Sequence, residues 1–153
     1  MLSPHEFEKL FPLACDWAGW QEIKILDKGV PLSEDEQIDA HLAGVRYIPK
    51  VRLMRVARIP LPRMTKLALA MDELGLITNA TTGMTFRYGI YIREDHWNNR
   101  ELIAHELVHT AQYERLGGIR GFLAQYLREC FTDGYPNGAL EQEARQKAAT
   151  ICR

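Results

Sequence analysis

No apolar run in this sequence approaches the about 18 residues that a membrane-spanning helix needs, so no membrane span is expected. A basic leader followed by a clean apolar stretch is missing as well. The start, "MLSPHEFEKLFPLACDWAGW", is broken by His, Glu, Lys and Pro, and does not read as a secretory signal. Cysteine is scarce: Cys15, Cys130 and Cys152 are odd in number and form no CxxC pair. That argues against a disulfide frame and against a cysteine-based zinc site, and points to reduced thiols in a cytoplasmic protein. No excess of one charge sign exists either. The net charge of −1 gives no overall attraction to nucleic acid or to an anionic membrane, so neither is an expected partner. Repeats, low-complexity tracts and Gly/Ser linkers are absent, so the 153 residues are expected to form one domain, 1–153. Helices and a first strand would fill 1–60, and the chemistry-bearing core 61–153.

What is present is a set of clear start and stop signals. Ser3-Pro4 opens a first helix that Pro12 is expected to shorten or kink. Ser33 followed by Glu34, Asp35 and Glu36 opens a second, which fades near Gly44. "VRLMRVARI", residues 51–59, reads as a strand stopped by Pro60 and Pro62. Pro62 opens a helix with Met64, Leu67, Met71 and Leu74 at helical spacing, ended by Gly75. "GMTFRYGIYIRED" reads as one or two strands, with a bend at Arg87-Tyr88-Gly89. Asn98 or Asn99 caps the next helix, which stops at Gly117-Gly118. Helices over about 119–131 and 139–151 follow, joined by the turn-rich "TDGYPNGA". The strands are too few for a doubly wound sheet. The expected fold class is α+β, with a small mixed sheet packed on one central helix and flanked by others.

That central helix carries "HELVHTAQYERLGG". Positions i and i+4 of a helix share a face one turn apart, so His105 and His109 can aim two imidazoles at one ion. Glu106 is rotated by about 100° from His105 and can reach a water on such an ion, as a general base. Zinc held by three protein ligands keeps one position open for that water. A metzincin would need Gly and His where Gln112 and Arg115 stand, so that class is excluded. No His follows His109, which leaves Glu114, Glu129, Asp133, Glu141 and Glu143 as candidates for a third ligand. Glu141 and Glu143 point to different faces of the last helix, so only one of them can serve.

"HELVHTAQYERLGG", an intervening helix and then "YPNGALEQEA" together resemble small bacterial HExxH metallopeptidases of the gluzincin type, over about residues 84–148. The resemblance implies a zincin-like fold and one zinc ion per chain, acting on a peptide or protein substrate. It also implies that the Glu of an E-x-x-A pattern completes the site; here that is Glu141, three before Ala144. Glu143 then supports the site from behind or is a surface charge. Some such families carry Asp directly after that Ala, where this chain has Arg145, so an acidic support for a ligand histidine must come from elsewhere.

Other residues are candidates for supporting parts. Gln112 shares a face with His109 and could bond a ligand or the substrate. Glu101, four before His105, could orient an imidazole or simply charge the helix start. Tyr135, in the loop before the last helix, could donate to a tetrahedral oxyanion. The strand before the motif helix could take an extended substrate along its edge. His5, His41 and His96 lack partners at ligand spacing. Arg46, Lys50, Arg52, Arg55, Arg58, Arg63 and Lys66 form a stretch without acids, expected to be a solvated face. The expected function is zinc-dependent peptide hydrolysis through His105, His109, Glu141 and Glu106. The rivals are an inactive metal-binding protein, closed by a fourth ligand such as Cys130 or Asp133, and a partner- or nucleic-acid-binding module using the basic stretch.

Overall fold

The computed structural model describes residues 2–153. Helix α1 spans Pro4–Lys28. The Ser3 hydroxyl accepts from the Glu6 amide at 3.1 Å and the Glu6 carboxylate accepts from the Ser3 amide at 3.2 Å, a reciprocal cap. Pro12 does not shorten this helix, which runs 25 residues through it. Burial explains the tolerance: Ala14, Ala18 and Ile25 lie on one face and are held against the sheet and α5, and packing outweighs one missing backbone bond. The pair Val30–Pro31 forms a two-residue strand, β1, that was not expected from sequence. Helix α2, Glu34–Ala43, has the foreseen Ser33 cap and ends on Gly44, whose φ of 96° favours glycine.

Strand β2 spans Arg52–Val56, shorter than expected. Helix α3, Thr65–Glu73, begins three residues after Pro62 and not at it. Strands β3, Gly83–Phe86, and β4, Gly89–Arg93, turn at Arg87, which adopts φ 58°. Three helices complete the chain: α4 (Arg100–Arg115), α5 (Ile119–Asp133) and α6 (Ala139–Ile151).

The sheet is mixed, in the order β1-β2-β4-β3. Strands β2 and β4 are parallel, with Leu53 opposite Ile90, and the two outer pairs are antiparallel. Alternation divides β4 between two layers. Ile90 and Ile92 pack with α2, α4 and α6 residues such as Leu107, Val108 and Ala144. Tyr91 packs on the opposite face with Ala18 and Ile25 of α1. Each of the fully buried Ile, Leu and Val side chains among them contributes about 1.5–3 kcal/mol. Gly89 is required by this second layer, because a Cβ there would lie 2.9 Å from the Ile25 Cβ. The architecture is α+β, with helix α4 between the sheet and α6. Among the described residues no helix is long and apolar enough to cross a membrane.

Candidate metal centre

Helix α4 is fixed at both ends and along its length. Asn99 accepts from the Leu102 amide at 3.0 Å at its start, and Gly118 donates back to the Tyr113 carbonyl at 2.8 Å at its end. The Thr110 hydroxyl donates to the Arg87 carbonyl at 2.7 Å, and the Tyr113 hydroxyl to the Thr85 carbonyl at 3.0 Å. These bonds lock the helix to the β3–β4 turn. The small residues Ala144 and Ala148 of α6, both fully buried, let that helix approach α4 closely.

The close approach brings His105, His109 and Glu141 together, with one ligand atom of each within 4.8 Å of the others. The two imidazole Nε2 atoms are 3.2 Å apart. The Glu141 carboxylate spans both rings, Oε1 at 2.7 Å from His105 and Oε2 at 3.1 Å from His109. Ligands of a tetrahedral ion at about 2.0–2.1 Å stand about 3.3–3.4 Å from one another, so the donor set has the chemistry for zinc and nearly its spacing, with the His105–Glu141 pair at 2.7 Å having to open to admit it. Among the described residues the cluster holds three members. Cys130 and Asp133, the candidates for closing it with a fourth ligand, are not in it, and burial pushes the Cys130 thiol up to about 12. The geometry leaves the identity of the ion open among metals that accept imidazole and carboxylate.

Each remaining acid considered for the third position is engaged elsewhere or stands apart. Glu114 accepts from the Arg46 and Tyr47 amides and from the Tyr88 hydroxyl. Glu129 accepts from the Leu140 amide at 2.9 Å, at the start of α6. Glu143 faces Gln112 and Arg115.

Gln112 is the support that Arg145 could not supply. It is fully buried. Its Oε1 accepts from His109 Nδ1 at 2.8 Å, so the neutral ring keeps its proton there and turns the Nε2 lone pair to the cluster. Its Nε2 is anchored on α6, donating to the Leu140 carbonyl at 2.9 Å and to Glu143 at 2.6 Å. Arg145 instead donates to the Pro136 carbonyl at 2.9 Å, holding the loop that carries Tyr135.

Sequence reasoning missed two residues. The Tyr126 hydroxyl, from α5, donates to Glu141 Oε2 at 2.8 Å. Thr85, on β3, places its hydroxyl 2.9 Å from Glu106 Oε1 and 3.0 Å from the Glu106 carbonyl. Each left a faint trace: Thr85 is the lone polar side chain facing α4 from β3, and Phe122-x-x-x-Tyr126 is an aromatic stripe ending in a hydroxyl. Glu106 itself is buried and lies 4.0 Å from His105 Nε2.

Burial disfavours a charged His109, but the bond to Glu141 and the charges of Glu106 and Glu141 outweigh it and push the ring up to about 9. Burial likewise opposes ionisation of Glu141, yet the two imidazoles hold its carboxyl far below the usual carboxylate range. His109 and Glu141 thus face each other as an ion pair within the cluster.

The site opens on a groove of about 590 Å3 lined by Gly83, Glu101, His96, Tyr135 and Arg145, together with His105, Glu106 and Glu141. Tyr135 therefore reaches the site, and its hydroxyl is pushed up to about 12 by burial and by Glu141 and Glu106. Glu101 lies exposed on the rim and forms no hydrogen bond with His105 among the described residues. The basic stretch lies elsewhere: Lys50 Nζ sits 4.9 Å from the Tyr47 ring, Arg55 4.7 Å from Trp97, and Arg52 donates to backbone carbonyls. Compared with models of protein families, with curated proteins and with solved structures, the chain has no match.

Proposed function

We propose that the protein is a zinc-dependent hydrolase acting on peptide bonds. The observation that carries this reading is the joint placement of three convergent donors, His105, His109 and Glu141, and a buried carboxylate, Glu106, beside them and outside their set. A purely structural metal site has no use for Glu106 at that position, nor for the Thr85 hydroxyl that steers it.

Zinc held there would bring a water's pKa to about 7 and polarise a carbonyl oxygen. The chain's own residues do the rest. Gln112 fixes the tautomer of His109, and Tyr126 and the two rings fix Glu141. Glu106 takes the proton of the attacking water and delivers it to the leaving amine. The Thr85 hydroxyl has one proton and two acceptors within reach, the Glu106 carboxylate and the Glu106 carbonyl. It donates to the carboxylate while that is ionised. It turns to the carbonyl when the carboxyl carries a proton, so Glu106 is oriented through both halves of the reaction. Tyr135 stands at the rim, where a donor to the developing oxyanion belongs.

The sheet supports an extended substrate. Strand β3 is an edge strand. Thr82 accepts from the Arg93 amide at 2.8 Å, so the antiparallel alternation turns the amide and carbonyl of Gly83 outward. Gly83 adjoins Glu106, since a Cβ on it would lie 3.2 Å from the Glu106 Cγ. A peptide laid antiparallel to β3 would pair with Gly83 and bring its carbonyl over the site. The test is a peptide library digested by zinc-loaded protein and read by mass spectrometry. Cleavage that drops by about 100-fold or more in Glu106→Gln supports the proposal. No cleavage by wild type, or equal cleavage by both, refutes it.

A further inference from the structure

The metal site has a second, inward opening. A narrow, mostly apolar cavity of about 100 Å3 runs from His105, His109, Glu106 and Glu141 beneath β3, between α1 and α5. Its floor is made by Ala14 and Ala18, one turn apart on α1 and both buried. Trp17 forms a wall, braced edge-on against Phe86 at 5.2 Å. Leu76 and Leu127 line it further in.

Resting on the hydrolase reading, we infer that this cavity is a side-chain pocket that selects a substrate residue with a branched or unbranched aliphatic side chain next to the scissile bond. Three observations carry the choice of occupant. Of the cavity's three phenols, the Tyr113 hydroxyl is spent on the Thr85 carbonyl and the Tyr126 hydroxyl on Glu141, and Tyr135 stands at the mouth, where it also lines the outer groove. A charged or hydrogen-bonding side chain would lose its water there and gain no partner beyond the mouth. The volume is smaller than the about 150 Å3 of a buried apolar cavity that accepts benzene, so a leucine- or methionine-sized group fits and an indole does not. The floor is set by two alanines, and any larger residue there would erase the space, so Ala14 and Ala18 determine specificity.

Hydroxamates test this, because their head group chelates zinc and their tail is chosen freely. Acetohydroxamate, 4-methylpentanohydroxamate and octanohydroxamate are titrated into zinc-loaded protein by calorimetry. Each buried methylene is worth about four-fold in affinity, so the branched six-carbon compound should bind on the order of 100-fold tighter than acetohydroxamate. Octanohydroxamate should gain nothing further, because the branched tail already fills a cavity of about 100 Å3. Ala18→Leu, with zinc content checked, should reduce the 100-fold ratio to below about ten-fold; Ala14→Leu serves if that variant does not fold. Equal affinity for the short and branched compounds overturns the pocket and leaves the metal site standing. A further gain with the eight-carbon tail also overturns it, in favour of an acyl channel. Failure of all three to bind zinc-loaded protein overturns the hydrolase reading and the pocket together.

Discussion

Gln112→Leu is the sharpest perturbation of the metal centre that leaves every proposed ligand in place. The leucine is similar in size but carries no polar atom. Three contacts disappear: the His109 Nδ1 acceptor at 2.8 Å, the donor to the Leu140 carbonyl at 2.9 Å and the donor to Glu143 at 2.6 Å. Glu143 keeps Arg115 at 3.0 Å, and the Leu140 carbonyl can still serve its own helix. The His109 Nδ1 proton, in contrast, is left inside a buried site without an acceptor, which costs about 1–3 kcal/mol. The lost bond between α4 and α6 adds about 1 kcal/mol, so the metal-free protein should lose about 2–4 kcal/mol. For a chain of 153 residues that is a fall in Tm of roughly 5–15 °C. Zinc binding suffers separately, because the His109 ring is free to flip or to protonate the wrong nitrogen, and the affinity should fall about 10- to 100-fold. Chelator competition measures the affinity and differential scanning fluorimetry the Tm. A variant that binds zinc as tightly as wild type would refute the claim that Gln112 orients a ligand, even if it melts earlier.

Three other outcomes follow from the same geometry. Thr85→Val keeps the shape of the side chain and removes the hydroxyl 2.9 Å from Glu106, so zinc content should be unchanged while kcat on a cleaved peptide falls about 10- to 100-fold; an unchanged kcat refutes the steering role. The apparent zinc affinity of wild type should rise about tenfold per pH unit through neutral pH and level off near pH 9, because the ion must displace the proton that His109 keeps up to about 9, whereas Glu141 is already ionised over that window. The sign is opposite for the metal-free fold: a raised histidine contributes stability that is fully present below about pH 6.5 and lost as the pH rises through about 9, which thermal melts across that range will show. A flat affinity profile contradicts the raised His109.

Local rules explain which parts of this molecule could be read from its sequence. The caps at Ser3, Ser33 and Asn99 and the stop at Gly117-Gly118 each depend on residues within one turn, and all are found where the sequence puts them. The HExxH spacing fixes which face of α4 carries both histidines, for the same reason. Tertiary terms override the rest. Pro12 is carried within α1 by packing on the sheet and α5, and β1 exists only because β2 offers it an edge. Glu141 and Glu143 cannot be told apart by spacing; a resemblance favoured Glu141, and the face of α6 turned toward α4 is what places it beside the histidines. Thr85 and Tyr126 reach the site across 21 and 15 residues of chain, distances at which sequence pattern carries no register.

In the proposed site, His105, His109 and Glu141 hold one zinc ion while Glu106 stands beside it without being a ligand. Metal analysis of protein purified without a histidine tag tests this most directly, with wild type beside His109→Ala and Glu106→Gln. One zinc per chain in wild type and in Glu106→Gln, and none in His109→Ala, is the predicted result. Wild-type protein that remains metal-free in excess zinc, or a Glu106→Gln variant that loses its ion, would contradict it.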